Sequence, residues 1–146
     1  MTPTATASPG LPIALGLAGA IPFVGLAVLV NTFGAHEAFL RHAMLAYGAC
    51  IVSFVGAVHW GIWLAAAGSQ PHSAMALGWS VLPAVAAWAL LAIGTRYALP
   101  GMAALLAACL LVDLALWRID ALPGWYLRMR ALLTTVGALC LLSAMQ

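Results

Sequence analysis

Long apolar runs, separated by short polar stretches, make up most of the chain. A helix that crosses a bilayer needs about 20 predominantly apolar residues, and five runs reach or approach that length. They cover residues 11–31, 43–67, 74–94, 99–117 and about 126–145. The runs are continuous and do not alternate between apolar and polar positions, which excludes a membrane β-barrel. We therefore predict an all-α, polytopic membrane protein, a compact bundle of five transmembrane helices.

The pattern divides the chain into two parts. Residues 1–10 form a short polar tail rich in Pro, Ser and Thr, and residues 11–146 form a single five-helix transmembrane domain. The connections between the runs are short, so neighbouring helices are antiparallel. Pro22 and Pro83 lie inside the first and third runs, where we expect kinks because proline removes a backbone hydrogen bond.

Composition excludes the main alternatives to a membrane protein. The 146 residues are 66% hydrophobic and 5% charged, with a mean hydropathy of +1.11. Soluble domains are about 45–50% apolar and about 25% charged, and disordered chains are polar. The net charge of +2 without a basic cluster argues against a nucleic-acid partner. The expected partner is the lipid bilayer, with other membrane protein subunits as a further possibility.

The basic residues indicate an orientation. All of them are arginines in an alanine-rich chain, which is typical of a bacterial genome rich in G and C. Five spans place Arg118, Arg128 and Arg130 on the N-terminal side, and Arg41 and Arg96 on the other. Because cytoplasmic loops carry more Lys and Arg, we predict a bacterial inner (plasma) membrane protein with a cytoplasmic N-terminus.

Two polar residues lie deep in the predicted spans, His59 in the second and Asp113 in the fourth. These spans run in the same direction, so both residues lie in the leaflet next to the N-terminal side. Arg128 and Arg130 begin the fifth span on that side. An unpaired carboxylate in lipid is costly. One interpretation is therefore a structural ion pair of an ionised Asp113 with Arg128 or Arg130, beside a neutral His59.

The other interpretation is a polar pocket that binds a ligand or relays protons. Its candidate ligand-binding residues are His59, Trp60, Trp63 and Asp113. Tryptophans are typical of membrane interfaces, but Trp60 and Trp63 lie deeper, beside the histidine. Both interpretations stay open on the sequence alone.

Small residues recur every fourth position in the second run. Ala49, Ser53, Ala57 and Gly61 form one narrow stripe on a helix. Small residues let helices in lipid approach closely. We therefore predict that this stripe packs against a neighbouring helix.

The sequence contains no motif for a reaction, a metal or a phosphate, which favours a non-enzymatic protein. We predict no cofactor. Haem in a helical bundle usually has two axial ligands, commonly His, and only His59 lies deep. An intramembrane enzyme that uses His59 and Asp113 as base and acid is a further, less favoured hypothesis.

Several strings resemble the transmembrane protein 69 family, a group of small bacterial and mitochondrial inner-membrane proteins of unknown function. The resemblance rests on Leu15-Gly16, Gly19-Ala20-Ile21-Pro22-Phe23, Tyr47-Gly48-Ala49, Ser53-Phe54-Val55-Gly56-Ala57-Val58-His59-Trp60-Gly61, Gly78-Trp79-Ser80, Asp113, and Pro123-Gly124-Trp125-Tyr126-Leu127-Arg128-Met129-Arg130 with Leu133-Thr134. It implies a five-helix domain in an inner membrane of bacterial or mitochondrial type. It implies no catalytic residue.

Two functions fit these observations. The first is a non-enzymatic accessory or assembly partner of a larger membrane complex, since the chain is small and its loops are short. The alternative is a membrane-embedded small-molecule binding protein or transporter-like bundle, with its polar centre at His59 and Asp113. Its ligand would be a porphyrin, a quinone or a similar amphiphile.

Overall fold

The computed structural model describes residues 10–33, 36–65, 73–119 and 122–145, and all the regular structure in these ranges is helical. The helices are α1 (Gly10–Ala18), α2 (Ile21–Thr32), α3 (Glu37–Ala65), α4 (Ser73–Ala92), α5 (Thr95–Arg118) and α6 (Gly124–Ser143). The predicted polar tail, residues 1–10, lies outside the described residues except for Gly10.

Four of the predicted apolar spans are long and apolar enough to cross a membrane. They are residues 10–32, which combine α1 and α2, then α3, then residues 97–118 of α5, and α6. The remaining span corresponds to a shorter apolar helix, residues 77–92 of α4. The all-helical class and the five apolar helices are therefore confirmed.

The first span is broken into two helices. α1 ends at Ala18 and α2 begins at Ile21, so Pro22 lies at the start of a new helix. Proline fits there because the first amides of a helix have no intrahelical acceptor. The Tyr47 hydroxyl donates a 2.8 Å hydrogen bond to the Gly19 carbonyl at the break. A polar side chain of α3 thus satisfies a backbone group that lipid would leave unpaired.

Helix α3 is the centre of the bundle, and it contacts α2, α4, α5 and α6. It approaches α4 closely at Gly56, where a Cβ atom would lie 2.7 Å from the Ser80 carbonyl oxygen and 3.4 Å from the Pro83 ring. α4 is a continuous helix around the buried Pro83. A glycine at position 56 is therefore required for the two backbones to pack.

The small-residue stripe predicted on this helix packs only at its beginning, where Ala49 lies against the core. Gly61 has no heavy atom within 4 Å of an added Cβ, among the described residues, and Ala57 is exposed. The buried face begins one position earlier, with Gly48, Val52 and Gly56. The prediction was wrong for Ala57 and Gly61, because a second stripe with two glycines lies beside the predicted one and periodicity alone does not say which faces inward.

Replacing Tyr47 with phenylalanine removes only the hydroxyl that satisfies the Gly19 carbonyl. We expect Tyr47→Phe to lower the free energy of unfolding by about 1 kcal/mol, the net value of one hydrogen bond. This loss in the free energy of unfolding is measured by unfolding each protein in mixed micelles that contain increasing amounts of a denaturing detergent. Ser53→Ala is the matched control, because the Ser53 hydroxyl bonds only the Ala49 carbonyl of its own helix. Equal losses in both variants would contradict a role for Tyr47 at the break.

Candidate binding site at a buried ion pair

An ion pair between α5 and α6 lies in the interior. Asp113 is 0% exposed and Arg130 is 4% exposed. The Arg130 Nε atom donates a 2.9 Å hydrogen bond to Asp113 Oδ2. The two helices are joined by a short segment and pack extensively against each other. This antiparallel arrangement brings the end of one helix beside the start of the next.

Helical geometry selects Arg130 over Arg128. The two residues are separated by about 200° around the helix axis, so only one can face the interior. Arg130 shares the buried face of α6 with Thr134 and Gly137. Arg128 is exposed, and its Nε atom donates to the Gly124 carbonyl at 3.3 Å.

His59 completes a cluster of three side chains from three helices, here called the polar centre: His59, Asp113 and Arg130. His59 is 3% exposed. Its Nε2 atom lies 3.5 Å from Asp113 Oδ1, and its Nδ1 atom lies 3.2 Å from the Gly56 carbonyl oxygen. Both ring nitrogens therefore face oxygen atoms of the protein. Asp113 is the member that links α3 to α6.

A cavity of about 150 Å³ borders the polar centre at Arg130. Its wall is mostly apolar and comes from α1, α2, α3, α5 and α6. The lining residues are Leu15, Gly16, Gly19, Ala20, Phe23, Ile51, Phe54, Val55, Leu106, Tyr126, Met129, Arg130, Leu133 and Thr134. The break between α1 and α2 forms one side of this space, since Gly19 and Ala20 carry almost no side chain there.

Three polar side chains of α6 line the cavity. Tyr126, Arg130 and Thr134 are spaced four residues apart, so they lie on one stripe of the helix. The Arg130 Nη2 atom and the Thr134 hydroxyl are buried and have no hydrogen-bond partner among the described residues, whereas the buried Tyr126 hydroxyl lies beside Arg130 and interacts with it. Buried polar groups in proteins are normally paired. The stripe is therefore one of several places in the described structure, the polar centre among them, where a buried polar atom lacks a partner.

The candidate residues from the sequence fall into two groups. His59, Asp113 and Arg130 come together, whereas Trp60 is 46% exposed on the surface. None of His59, Trp60, Trp63 and Asp113 lines the 150 Å³ cavity. This cavity lies toward α6, apart from the two tryptophans, and a ligand site at His59, Trp60, Trp63 and Asp113 stays a prediction.

Sequence reasoning missed Tyr126 and Thr134. Their four-residue spacing from Arg130 was the available signal, because it places hydroxyls one turn on either side of a buried cation. Chemically the stripe offers hydrogen-bond donors beside an apolar space. Among the described residues, no group of three or more His, Cys, Asp or Glu side chains could hold a metal ion.

The fold and site define a class, a membrane-type helical bundle with an ion pair buried among apolar helices. The chain belongs to the family described as "Protein of unknown function (DUF3429)", which matches residues 8–146. It is 37% identical over 135 residues to "Transmembrane protein 69" of Xenopus tropicalis, across 90% of this chain and 52% of that protein. The chain thus spans about half the length of this curated relative. No solved structure matches it.

Removing one partner of the ion pair leaves the other charge buried and unpaired, which costs about 3–5 kcal/mol. We expect this loss in the free energy of unfolding for Arg130→Gln. Arg128→Gln is the matched control, and it should change stability by no more than about 0.5 kcal/mol.

A double variant separates a lost charge pair from lost packing. Asp113→Leu combined with Arg130→Met replaces both charges by apolar groups, and we expect it to be more stable than Arg130→Gln alone. Chemical unfolding of the four proteins in one detergent provides the comparison. If Arg130→Gln and Arg128→Gln lost the same free energy of unfolding, the ion pair would not hold α5 and α6 together.

Proposed function

We propose that this chain is a non-enzymatic, multi-pass protein of the bacterial inner membrane that binds a small amphiphilic molecule in the cavity beside Arg130. The observation that carries the proposal is an apolar cavity lined by Arg130 and Thr134, whose buried Nη2 atom and hydroxyl lack partners among the described residues. Small-molecule sites are mostly apolar, with a few polar groups that fix orientation. This cavity has that composition.

The outer surface supports the membrane setting. Large apolar side chains are exposed on every apolar helix, including Leu15 at 66%, Phe54 at 71%, Trp88 at 70%, Leu111 at 65% and Leu139 at 63%. Soluble monomers rarely expose contiguous apolar patches beyond a few hundred Å². We propose five crossings with the N-terminus in the cytoplasm, the orientation favoured by the arginine count.

The dimensions of the cavity limit the ligand. An apolar cavity of about 150 Å³ accommodates a molecule of the size of benzene. A porphyrin contains four pyrrole rings and is far larger. The ring nitrogens of His59 face Gly56 and Asp113 rather than the cavity. These features favour a single-ring head group over a haem.

The family strings coincide with the cavity. Most of its lining residues stand in the strings that carry the family resemblance, among them Gly16, Ala20, Arg130 and Thr134. Arg130 both pairs with Asp113 and lines the cavity. A ligand-binding role gives one explanation for both features.

Photolabelling with a phenyl diazirine, a single-ring probe that partitions into bilayers, tests the proposal on the full chain in lipid nanodiscs. We expect labelled peptides at interior positions such as Val55 and Leu133, besides those that face lipid. Ala20→Leu fills the cavity and should abolish the interior labelling alone. Ala18→Leu is the matched control, because Ala18 is exposed. Labelling confined to lipid-facing residues in the parent protein would contradict a ligand cavity.

An accessory role in a larger membrane complex is the second proposal. It is supported by the shortness of the connection between α4 and α5, which consists of Ile93 and Gly94. Because the described residues lie almost entirely in apolar helices, a partner of this part of the chain would be contacted within the bilayer.

Extraction from native membranes in a mild detergent tests the accessory role. If the chain has this role, it should migrate on native gels in a complex much larger than its own 15.1 kDa. A harsher detergent should dissociate that complex. Migration as a solitary monomer after the mildest extraction would contradict the accessory role. It would leave the binding proposal unaffected.

A further inference from the structure

The unpaired polar atoms at the cavity define what kind of group a ligand must present. The Arg130 Nη2 atom can only donate hydrogen bonds. The Thr134 hydroxyl is able to donate as well, and both residues line the cavity from α6. A ligand that satisfies this set must therefore carry an acceptor oxygen.

The charge balance distinguishes an uncharged acceptor from an anion. Arg130 is the one charged side chain among the described residues that line the cavity. Its charge is already balanced by Asp113, which lies 2.9 Å away. A carboxylate or phosphate would be transferred from water to an apolar space without a net positive charge to compensate it. An uncharged carbonyl oxygen would not have that cost.

The polar centre contains one more titratable group, His59, which faces Asp113 from α3. It does not line the cavity. Among neighbouring groups, Cys109 of α5 and Tyr126 of α6 lie near both Asp113 and Arg130. None of these groups supplies a second cation to the cavity wall.

We propose that the cavity takes an uncharged, single-ring carbonyl compound of the quinone class, with a ring oxygen accepting hydrogen bonds from Arg130 and Thr134. This inference rests on the proposed binding function and adds the chemistry of the head group. The cavity volume of about 150 Å³ fits one ring, since a space of that size holds benzene. The cavity is open where the exposed Leu15 and Phe54 line it, which leaves room for substituents on the ring. The apolar wall, with Phe23, Val55 and Leu106, packs against the rest of the ring. No redox step is part of the proposal.

Three probes of similar shape test the head group: duroquinone, durene and 2,3,5,6-tetramethylbenzoate. They carry two carbonyls, no oxygen, and a carboxylate on the same methylated ring, and the four methyl groups of duroquinone block addition of the cysteine thiols. Titration calorimetry of the full chain in phosphatidylcholine nanodiscs, with empty nanodiscs subtracted, gives the three affinities. We expect duroquinone to bind most tightly.

Thr134→Val tests the assigned donor, because it removes a hydroxyl and keeps the shape. We expect it to weaken duroquinone binding about two- to tenfold, the range for one lost hydrogen bond, and to leave durene binding unchanged. Thr135→Val is the control, since the Thr135 hydroxyl bonds the Ala131 carbonyl of its own helix and is exposed. Because the Thr134 hydroxyl has no partner among the described residues, its removal should not lower the unfolding midpoint.

Each of the remaining outcomes would contradict one particular part of the inference. Equal affinities for duroquinone and durene would overturn the carbonyl contact, while interior photolabelling would still support a cavity. Tighter binding of the benzoate would overturn the uncharged head group. A lowered midpoint in Thr134→Val would show that its hydroxyl is bonded within the fold. Absence of both probe binding and interior photolabelling would reject the proposed function itself.

Discussion

The ion pair between Asp113 and Arg130 is the constraint on which the rest of the interior depends. In an apolar medium each of these charges is costly alone, so neither can leave the other without a large loss of stability. The pair fixes the rotation of α5 and α6 about their axes, because both side chains must face inward at the same depth. Through the contact of His59 with Asp113, it also restricts α3.

The same rotation of α6 determines what the cavity contains. Once Arg130 faces inward, Tyr126 and Thr134 must do so as well, since they lie one turn on either side of it. Their hydroxyls are thereby buried beside an apolar space, where Tyr126 interacts with Arg130 and the Thr134 hydroxyl has no partner among the described residues. One orientation of α6 therefore both forms the ion pair and places Tyr126 and Thr134 beside the cavity. The break between α1 and α2 provides the space opposite the stripe.

Much of the fold could be predicted from the sequence because the apolar runs are long and the polar positions few. The antiparallel order of five runs already placed Asp113 beside the start of α6, at the depth of an arginine. The pattern could not give the face of α3 that packs, because Gly48–Val52–Gly56 and Ala49–Ser53–Ala57 are adjacent stripes of similar size. The break at Gly19–Ala20 also escaped prediction, since Pro22 indicated only that the first span is distorted.

The ion pair within a bilayer can be measured directly by magic-angle-spinning NMR. Asp120→Asn leaves Asp113 as the sole aspartate in the chain, so labelled aspartate reports that carboxyl carbon alone. With labelled arginine, dipolar recoupling measures the distance from the Asp113 carboxyl carbon to the nearest guanidinium nitrogen in lipid. We expect about 4 Å with the chemical shift of an ionised carboxylate, as charge-assisted pairing requires. Arg130→Gln should abolish the coupling, and Arg128→Gln should preserve it. A distance beyond about 6 Å, outside the range of a dominant opposite charge, would contradict the account.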